Sequence, residues 1–422
     1  MNEIKKSKTL PFNKDRIYDY VKYFSFPRLS GTDGERKAVE LTVKTFKDIG
    51  FKEDQIEREN FEFSDFYSTT LIQLIMIMNL TFYLIFILMS YIYPIVTIIA
   101  VVAMAFIVVM IIRGLRHPET GFWGEYFGRT YSSTNVIVKI PAKAQPEKSA
   151  GNIIVSAHLD SKSQTFKTAW RIVLYRVWLF SGIALGIFYL TFIFSGFATF
   201  SLGNFPLFLQ VCMWISTILT SFSNVLLMFL TTHNKSPGAL DNASGMAIVF
   251  ELSSYFIKHS LDTYNLWFCQ FSAEELGTMG SRIFVNNHED QFVKGNIFQI
   301  NFDMVSSAKH KSSKNVVEYL ESFGVLPRKT ISPVLGKYMT EAAKEENQEF
   351  RGFHLSTGAH LDSVPFHLRG YDAIDITTRA AAKFTHNKVD TPDKVDPQIL
   401  LEACIIARKA ILMLEKDFKE KQ

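Results

Sequence analysis

Hydrophobic positions along this chain follow three rhythms. In GERKAVELTVKTFKDIGF the apolar residues Val39, Leu41, Val43, Phe46 and Ile49 fall on a helical repeat, and Gly50 stands where the helix must end. STNVIVKIP, GNIIVSAHLD, NLWFCQFSAEE, NIFQINFDMV and YDAIDITT are short apolar runs, the pattern of strands covered on both faces. Helical stretches separate them, notably SGMAIVFELSSYFIKH and the closing PQILLEACIIARKAILMLEKDF. Strand alternating with helix predicts an α/β fold with a mainly parallel or mixed twisted sheet flanked by helices.

The third rhythm is the absence of one. From Phe66 to Ile112 no side chain is charged, and the block is apolar on every helical face. At about 20 residues per crossing it has room for two spans, with Pro94 after Ser90 to Tyr93 marking the hairpin tip. A second block runs from Ile172 to Thr232 with a single charge, Arg176, and Gly203, Asn204 and Pro206 supply its tip. Helices of this length and uniformity need lipid to cover them, so two transmembrane α-helical hairpins, four spans in all, are expected to interrupt the sheet domain. The polar stretch MNEIKKSKTLPFNKDR makes the first span internal.

These blocks divide the chain. Residues 1–65, 113–171 and 233–422 form the polar domain in three pieces, and residues 66–112 and 172–232 form the hairpins. Pairs of crossings leave all polar pieces on one side. Arg113, Arg116, Lys162, Lys167, Arg171, Arg176 and Lys235 flank the spans there, while neither tip carries Lys or Arg, so the positive-inside rule places the polar domain in the cytoplasm of a multi-pass membrane protein. Membrane lipid is then one expected partner.

Charge adds an exclusion. With 45 Lys plus Arg against 41 Asp plus Glu and no basic tract interleaved with aromatics, nucleic acid is not an expected partner. Cys212, Cys269 and Cys404 are too scattered for a disulfide framework or a thiolate metal knuckle.

The acidic residues add chemistry. His158 and Asp160 follow the run Ile153 to Val155, Glu274 and Glu275 follow Leu266 to Phe271, and Asp303 follows Phe298 to Phe302. All stand at carboxyl ends of predicted strands, where open α/β sheets build their sites. With Asp241 and His386 they offer imidazoles and carboxylates but no thiolate, a donor set for Zn²⁺ or a similar divalent ion. Three carboxylate ligands over-charge a site with one metal. Two metals with one bridging hydroxide give neutrality, which a dry cleft tolerates best. Such a pair lowers the pKa of a shared water and polarises a carbonyl, and a carboxylate left outside the ligand set can move the proton.

The series AHLDS, GALDNASG, FSAEELGTMGS, NFDMV and FTHNKVDT resembles, in order, the co-catalytic di-zinc aminopeptidases of metallopeptidase family twenty-eight. FPRLSGTDGERKAVELTVKTFKDIGF and STNVIVKIP are similar to that family's N-terminal region. The resemblance implies a zinc aminopeptidase-like fold and two Zn²⁺, with other divalent ions as alternatives. It makes His158, Asp241, Glu275, Asp303 and His386 the metal ligands, with Asp241 bridging. Glu274 becomes the general base, and Asp160 the carboxylate that orients a ligating histidine. The substrate implied is a peptide, cleaved at its N-terminal bond. Asn387 departs from the family, which usually has Ser or Thr directly after the histidine. A carboxypeptidase or a one-zinc glutaminyl cyclase of the same fold is the alternative, and a non-catalytic membrane scaffold a further one; a transporter is disfavoured because no ionisable residue lies deep in either block.

AHLDS occurs again at Ala359 to Ser363. There Asp362 matches a family segment in which an Asp precedes a Pro-Phe pair near the substrate mouth, and His360 matches nothing and is expected as a polar loop residue. His310, His354 and His367 are expected at the surface or behind the site, and Arg369 and Arg379 are expected in surface ion pairs, with contact to a substrate carboxylate as the alternative.

Overall fold

Strands form where both faces are covered. In the computed structural model, which describes residues 11–89, 93–113, 128–196, 203–293, 295–306, 316–324, 328–356 and 360–420, every residue of Gly151–His158, Tyr264–Phe271 and Ile297–Phe302 is buried. The main strands are β1 (Ile56–Ser64), β2 (Thr130–Ile140), β3 (Gly151–His158), β4 (Tyr264–Phe271), β5 (Ile297–Phe302), β6 (Val317–Phe323), β7 (Phe350–Leu355) and β8 (Asp372–Ile376). They lie in the order β1-β2-β4-β3-β5-β8-β6-β7. The central strands β4, β3, β5 and β8 are parallel, whereas β2 pairs antiparallel with β4 and β6 antiparallel with β8. The sheet is therefore mixed.

Helices cover the two faces. On one, the helices Lys14–Phe24, Asp33–Ile49, Ser244–Phe256 and Pro397–Glu420 bury Phe24, Phe46 and Phe250 among the aliphatic side chains of Ile153, Val155 and Ile300. Gly50, at φ 122°, ends the second of these helices in a conformation that L side chains rarely adopt. On the other face, Trp267 and Phe271 pack with Phe284 of helix Met279–His288 and with Phe366.

The register of the parallel strands sets the site. Val155 of β3 is opposite Phe268 of β4 on one side and Ile300 of β5 on the other, so the carboxyl ends of three adjacent strands form one rim. His158 ends β3, and Asp303 follows the last residue of β5.

The chain divides into two compact units, one of Met1–Phe63, Thr130–Ser163 and His233–Gln422 that holds the sheet, and one of Ser64–Arg129 and Gln164–Thr232. The second unit contains the helices Thr69–Met89, Pro94–Arg113, Thr168–Ser195 and Phe205–Met228. Among the described residues, two of them, Thr168–Ser195 and Phe205–Met228, are long and apolar enough by length and composition to cross a membrane, and Thr69–Thr81 and Ile98–Ile107 are shorter apolar stretches. The expected hairpin tip at residues 90–92 falls outside the described residues, as do Arg116, His310 and Ala359.

Candidate metal centre

Six side chains from distant parts of the chain meet at the rim. His158 Nε2 lies 3.2 Å from Asp241 Oδ1, 3.4 Å from Asp303 Oδ1 and 3.9 Å from Glu274 Oε2. His386 Nε2 lies 3.1 Å from Asp241 Oδ2 and 3.0 Å from Glu275 Oε2. Asp241 thus turns one carboxylate oxygen to each histidine. Two donor groups result, His158 with Asp241 and Asp303, and Asp241 with Glu275 and His386, and within each the donor atoms lie within 4.8 Å of one another.

The donors fit divalent cations. His158 Nε2 and Asp303 Oδ1 are buried and have no hydrogen-bond partner, an arrangement that costs free energy unless a proton or a cation sits between them. His158 Nδ1 lies 3.1 Å from the Asp160 carbonyl and 3.3 Å from Asp160 Oδ1. An N–H there leaves the Nε2 lone pair for a metal, the orientation that carboxylate–histidine pairs enforce in zinc sites.

The loop after β4 solves the problem that neighbouring residues of an extended chain point apart. Ala273 adopts φ 57° and Thr278 φ 55°, and between them the chain turns so that Glu274 and Glu275 both reach the cleft. Met304 and His386 also have positive φ. Such backbone costs about 1–3 kcal/mol per residue and gathers at functional sites.

Burial separates the two glutamates. It pushes the Glu274 carboxyl well above its usual range, and the nearby Glu275 and Asp303 charges add to this against the pull of His158. Burial would raise Glu275 too, as would Asp241, but His386 and Lys162 hold it down to about 2. One neighbour is suited to carry a proton and the other to stay a carboxylate. Burial alone would lower the His158 imidazole, yet Glu274, Asp303, Asp160 and Asp241 hold it well above its ordinary value.

A further layer was not apparent from sequence. Asp160 Oδ2 accepts from Ser30 Oγ at 2.8 Å, and its two oxygens accept from the main-chain N–H groups of Glu274 and Glu275, both at 3.3 Å. Asp390 accepts from the N–H groups of Leu240 (2.7 Å) and Asp241 (3.2 Å), holding the Asp241 loop from behind. Arg28 is fully buried, and its guanidinium donates to the carbonyls of Leu159, Pro237 and Gly238. Gly238, at φ 64°, leaves no room for a side chain, since a Cβ would come within 2.8 Å of Arg28 Nη1. The motif FPRLSGT was the only signal for Arg28 and Ser30, and nothing in it announced their burial.

The remaining candidates separate. Asp362 is fully buried, and burial raises its carboxyl to about 7. His360 is exposed, with Nε2 3.3 Å from Thr278 Oγ1, and belongs to neither donor group. Arg369 pairs with Glu289 and Arg379 with Glu318, and His354 Nδ1 lies 3.2 Å from Ser322 Oγ. Lys162, counted in the sequence among cations flanking a membrane span, instead places Nζ 2.8 Å from Glu275 Oε2.

Comparison with known proteins agrees with this geometry. Residues 226–411 match the model of peptidase family M28, a stretch that includes Asp241, Glu274, Glu275, Asp303 and His386, with His158 and Asp160 upstream of it. Aminopeptidase YwaD of Bacillus subtilis (strain 168) is 26% identical over 207 residues, which are 46% of this chain and 42% of that protein. The match thus spans less than half the length of that curated relative. The aminopeptidase from Aneurinibacillus sp. strain AM-1 superposes with a TM-score of 0.55 at 15% identity, covering 96% of this chain and 94% of its own. BSAP, a zinc aminopeptidase from Bacillus subtilis, gives 0.55 at 13%, covering 96% of each chain. An Acidobacteriales bacterium glutaminyl cyclase gives 0.54 at 14%, covering 99% of each. At these identities the likeness is one of fold. The matched family model, taken with six side chains converging at the end of such a sheet, makes residues 226–411 of this chain similar to peptidase family M28.

Proposed function

We propose that the protein is a membrane-embedded zinc aminopeptidase that holds two Zn²⁺ and hydrolyses the N-terminal bond of peptides. The observation that carries the reading is the split of Asp241, with Oδ1 toward His158 and Oδ2 toward His386, while Glu274, 3.9 Å from His158, is a member of neither donor group. His158, Asp241 and Asp303 would hold one ion and Asp241, Glu275 and His386 the other. Bound there, the ions would lower the pKa of a water and polarise the scissile carbonyl. The chain's own residues do the rest. Asp160 keeps His158 in the tautomer that presents Nε2, and Asp390 holds the Asp241 loop. Glu274, buried and with a raised proton affinity, takes the proton of the attacking water. As the C–N bond breaks it delivers that proton to the departing amine, while the water oxygen stays on the acyl product.

The membrane part of the reading rests on surface chemistry. Large apolar side chains stand outward on the helical unit, among them Trp170, Phe194, Ile218, Phe222 and Phe229. Contiguous apolar surface on this scale needs a cover, and lipid provides it for the two long helices and, on our reading, for all four. The cytoplasmic side follows from the flanking cations, although Lys162, bonded to Glu275, contributes nothing to that count.

The test combines metal content with turnover of N-terminal aminoacyl amides by the full-length protein in detergent. Two zinc ions per chain and hydrolysis that falls about 10²–10⁴-fold in Glu274→Gln, with metal retained, is the expected result. Normal turnover by that variant would sink the mechanism. Ammonia release from N-terminal glutaminyl peptides, with one ion bound, would favour a cyclase, the activity named for one structure of the same fold.

A further inference from the structure

We infer that Lys162 makes the two cation positions unequal, so that the one built from Asp241, Glu275 and His386 holds its ion more weakly than the one built from His158, Asp241 and Asp303. The inference rests on the two-metal reading above and deepens it.

Lys162 lies two residues beyond Asp160 and grips Glu275 three times. Its main-chain N–H donates to Oε1 at 3.1 Å, its Nζ lies 2.8 Å from Oε2, and Nζ also donates to the Glu275 carbonyl at 2.7 Å. Both carboxylate oxygens of this ligand therefore already accept from a donor. Oε2 is also the oxygen 3.0 Å from His386 Nε2, so a cation bound between Glu275 and His386 shares that oxygen with an ammonium. The lysine side chain is only 12% exposed, which leaves little water to screen its charge. Repulsion between ammonium and ion, and the electron density the ammonium draws from the carboxylate, both act against binding there.

The other position has the opposite support. Behind His158 stands the Asp160 carboxylate, 3.3 Å from Nδ1, which raises the basicity of the ligating imidazole. Asp241 serves both positions and drops out of the difference. Arg28 bonds main-chain carbonyls and no ligand side chain. Charge points the same way. Asp241, Glu275 and Asp303 carry three negative charges and Lys162 one positive, so a single divalent ion already neutralises these four groups. Occupancy of the second position then follows the supply of metal, and the protein works with one resident and one exchangeable ion.

A purely orienting lysine predicts the reverse, because removing it would loosen Glu275 and weaken ion binding. The experiment uses full-length protein in detergent, stripped of zinc by graded chelator and read by elemental content and by competition with a zinc indicator. The wild type should release its ions in two steps with dissociation constants about 10–100-fold apart. Lys162→Gln, which can still donate a hydrogen bond, and Lys162→Met should both tighten the weaker step and close the gap, while Lys162→Arg keeps it. His386→Ala should abolish the weaker step and leave the tighter one in place. A single release step in the wild type, or a weaker step that is unchanged or further weakened in Lys162→Gln and Lys162→Met, overturns the inference and leaves the two-metal reading standing. Protein that binds no zinc in any form overturns both.

Discussion

Both units of this chain bury polar side chains, but they use them differently. In the sheet unit the buried polar groups include charges, and six of these converge: Asp160, Asp241, Glu274, Glu275, Asp303 and Arg28 are all within 8% exposure at one end of the sheet. Among the described residues of the helical unit they are hydroxyls and two amides, and some of them join helices. Ser181 and Thr220 are 2.6 Å apart across two helices, and Asn224 Nδ2 donates to the Met76 carbonyl at 2.6 Å. Burying a charge is costly unless ions or partners compensate it, whereas a hydroxyl needs one hydrogen bond. Converging charge therefore marks a site, and dispersed neutral polarity marks cohesion between helices.

Arg28 gives the largest effect with which to break that contrast. It is the buried cation beneath the acidic cluster, and burial lowers its guanidinium to about 10 even though Asp390, Asp160, Asp241 and Glu275 all favour its charge. Arg28→Met strands the carbonyls of Leu159, Pro237 and Gly238 and removes the compensating charge. It should destabilise the sheet unit by about 3–5 kcal/mol, measured as hydrogen exchange of peptides around Leu159 and Gly238. A loss under about 1 kcal/mol would mean that the acidic cluster needs no resident cation, and the contrast drawn here would fail.

The same residues show what the sequence could reveal. His158, Glu274, Glu275 and Asp303 stand directly after apolar runs, and because parallel strands share a direction, that position alone sends them to one rim. Asp241 and His386 were not legible in this way. They lie in irregular segments, and only resemblance to a family joined them to the others. Arg28, Ser30 and Asp390 act through main-chain groups as far as 210, 243 and 150 residues away, and a hydrogen bond to backbone leaves no mark on the identity of its partner. Lys162 was misread because a cation beside an apolar block has two uses, and only its 2.8 Å approach to Glu275 tells them apart. The strand pattern and a mainly parallel or mixed sheet were legible, but which strands run antiparallel was not, since apolar runs carry no sign of orientation.

A pH scan sharpens the comparison at intermediate size. His367, on helix Val364–Leu368, has a buried Nε2 without a partner, and burial lowers its imidazole to about 4, with Lys329 adding to the effect. Its folded pKa lies below the unfolded value of about 6.5, so the fold favours the neutral ring. The stability this contributes is present above about pH 6.5 and is lost as pH falls through about 4. Discounted for the part of the ring that meets solvent, the loss is about 2 kcal/mol. Acid should therefore lower the melting temperature of the sheet unit, and His367→Leu should flatten that slope. No histidine occurs among the described residues of the helical unit, which should respond less. An unchanged slope in the variant would assign the acid sensitivity to the carboxylates instead.

The smallest effect tests the other half of the contrast. Asn224 is fully buried on helix Phe205–Met228, and its bond to Met76 joins that helix to Thr69–Met89. In lipid such a bond contributes only about 0.6 kcal/mol on average, because a separated helix also finds partners for its amide. Asn224→Leu should therefore loosen the helical unit by less than about 2 kcal/mol, detectable as faster hydrogen exchange or easier cross-linking between those two helices, with zinc content and hydrolysis as in the wild type. The asymmetry is the informative part. A neutral group removed from the helical unit changes cohesion alone, whereas loss of a charged group from the sheet unit changes both cohesion and chemistry. If Asn224→Leu emptied the metal positions or abolished turnover, the helical unit would have to support the cleft energetically, and the division between site and cohesion would have to be redrawn to include it.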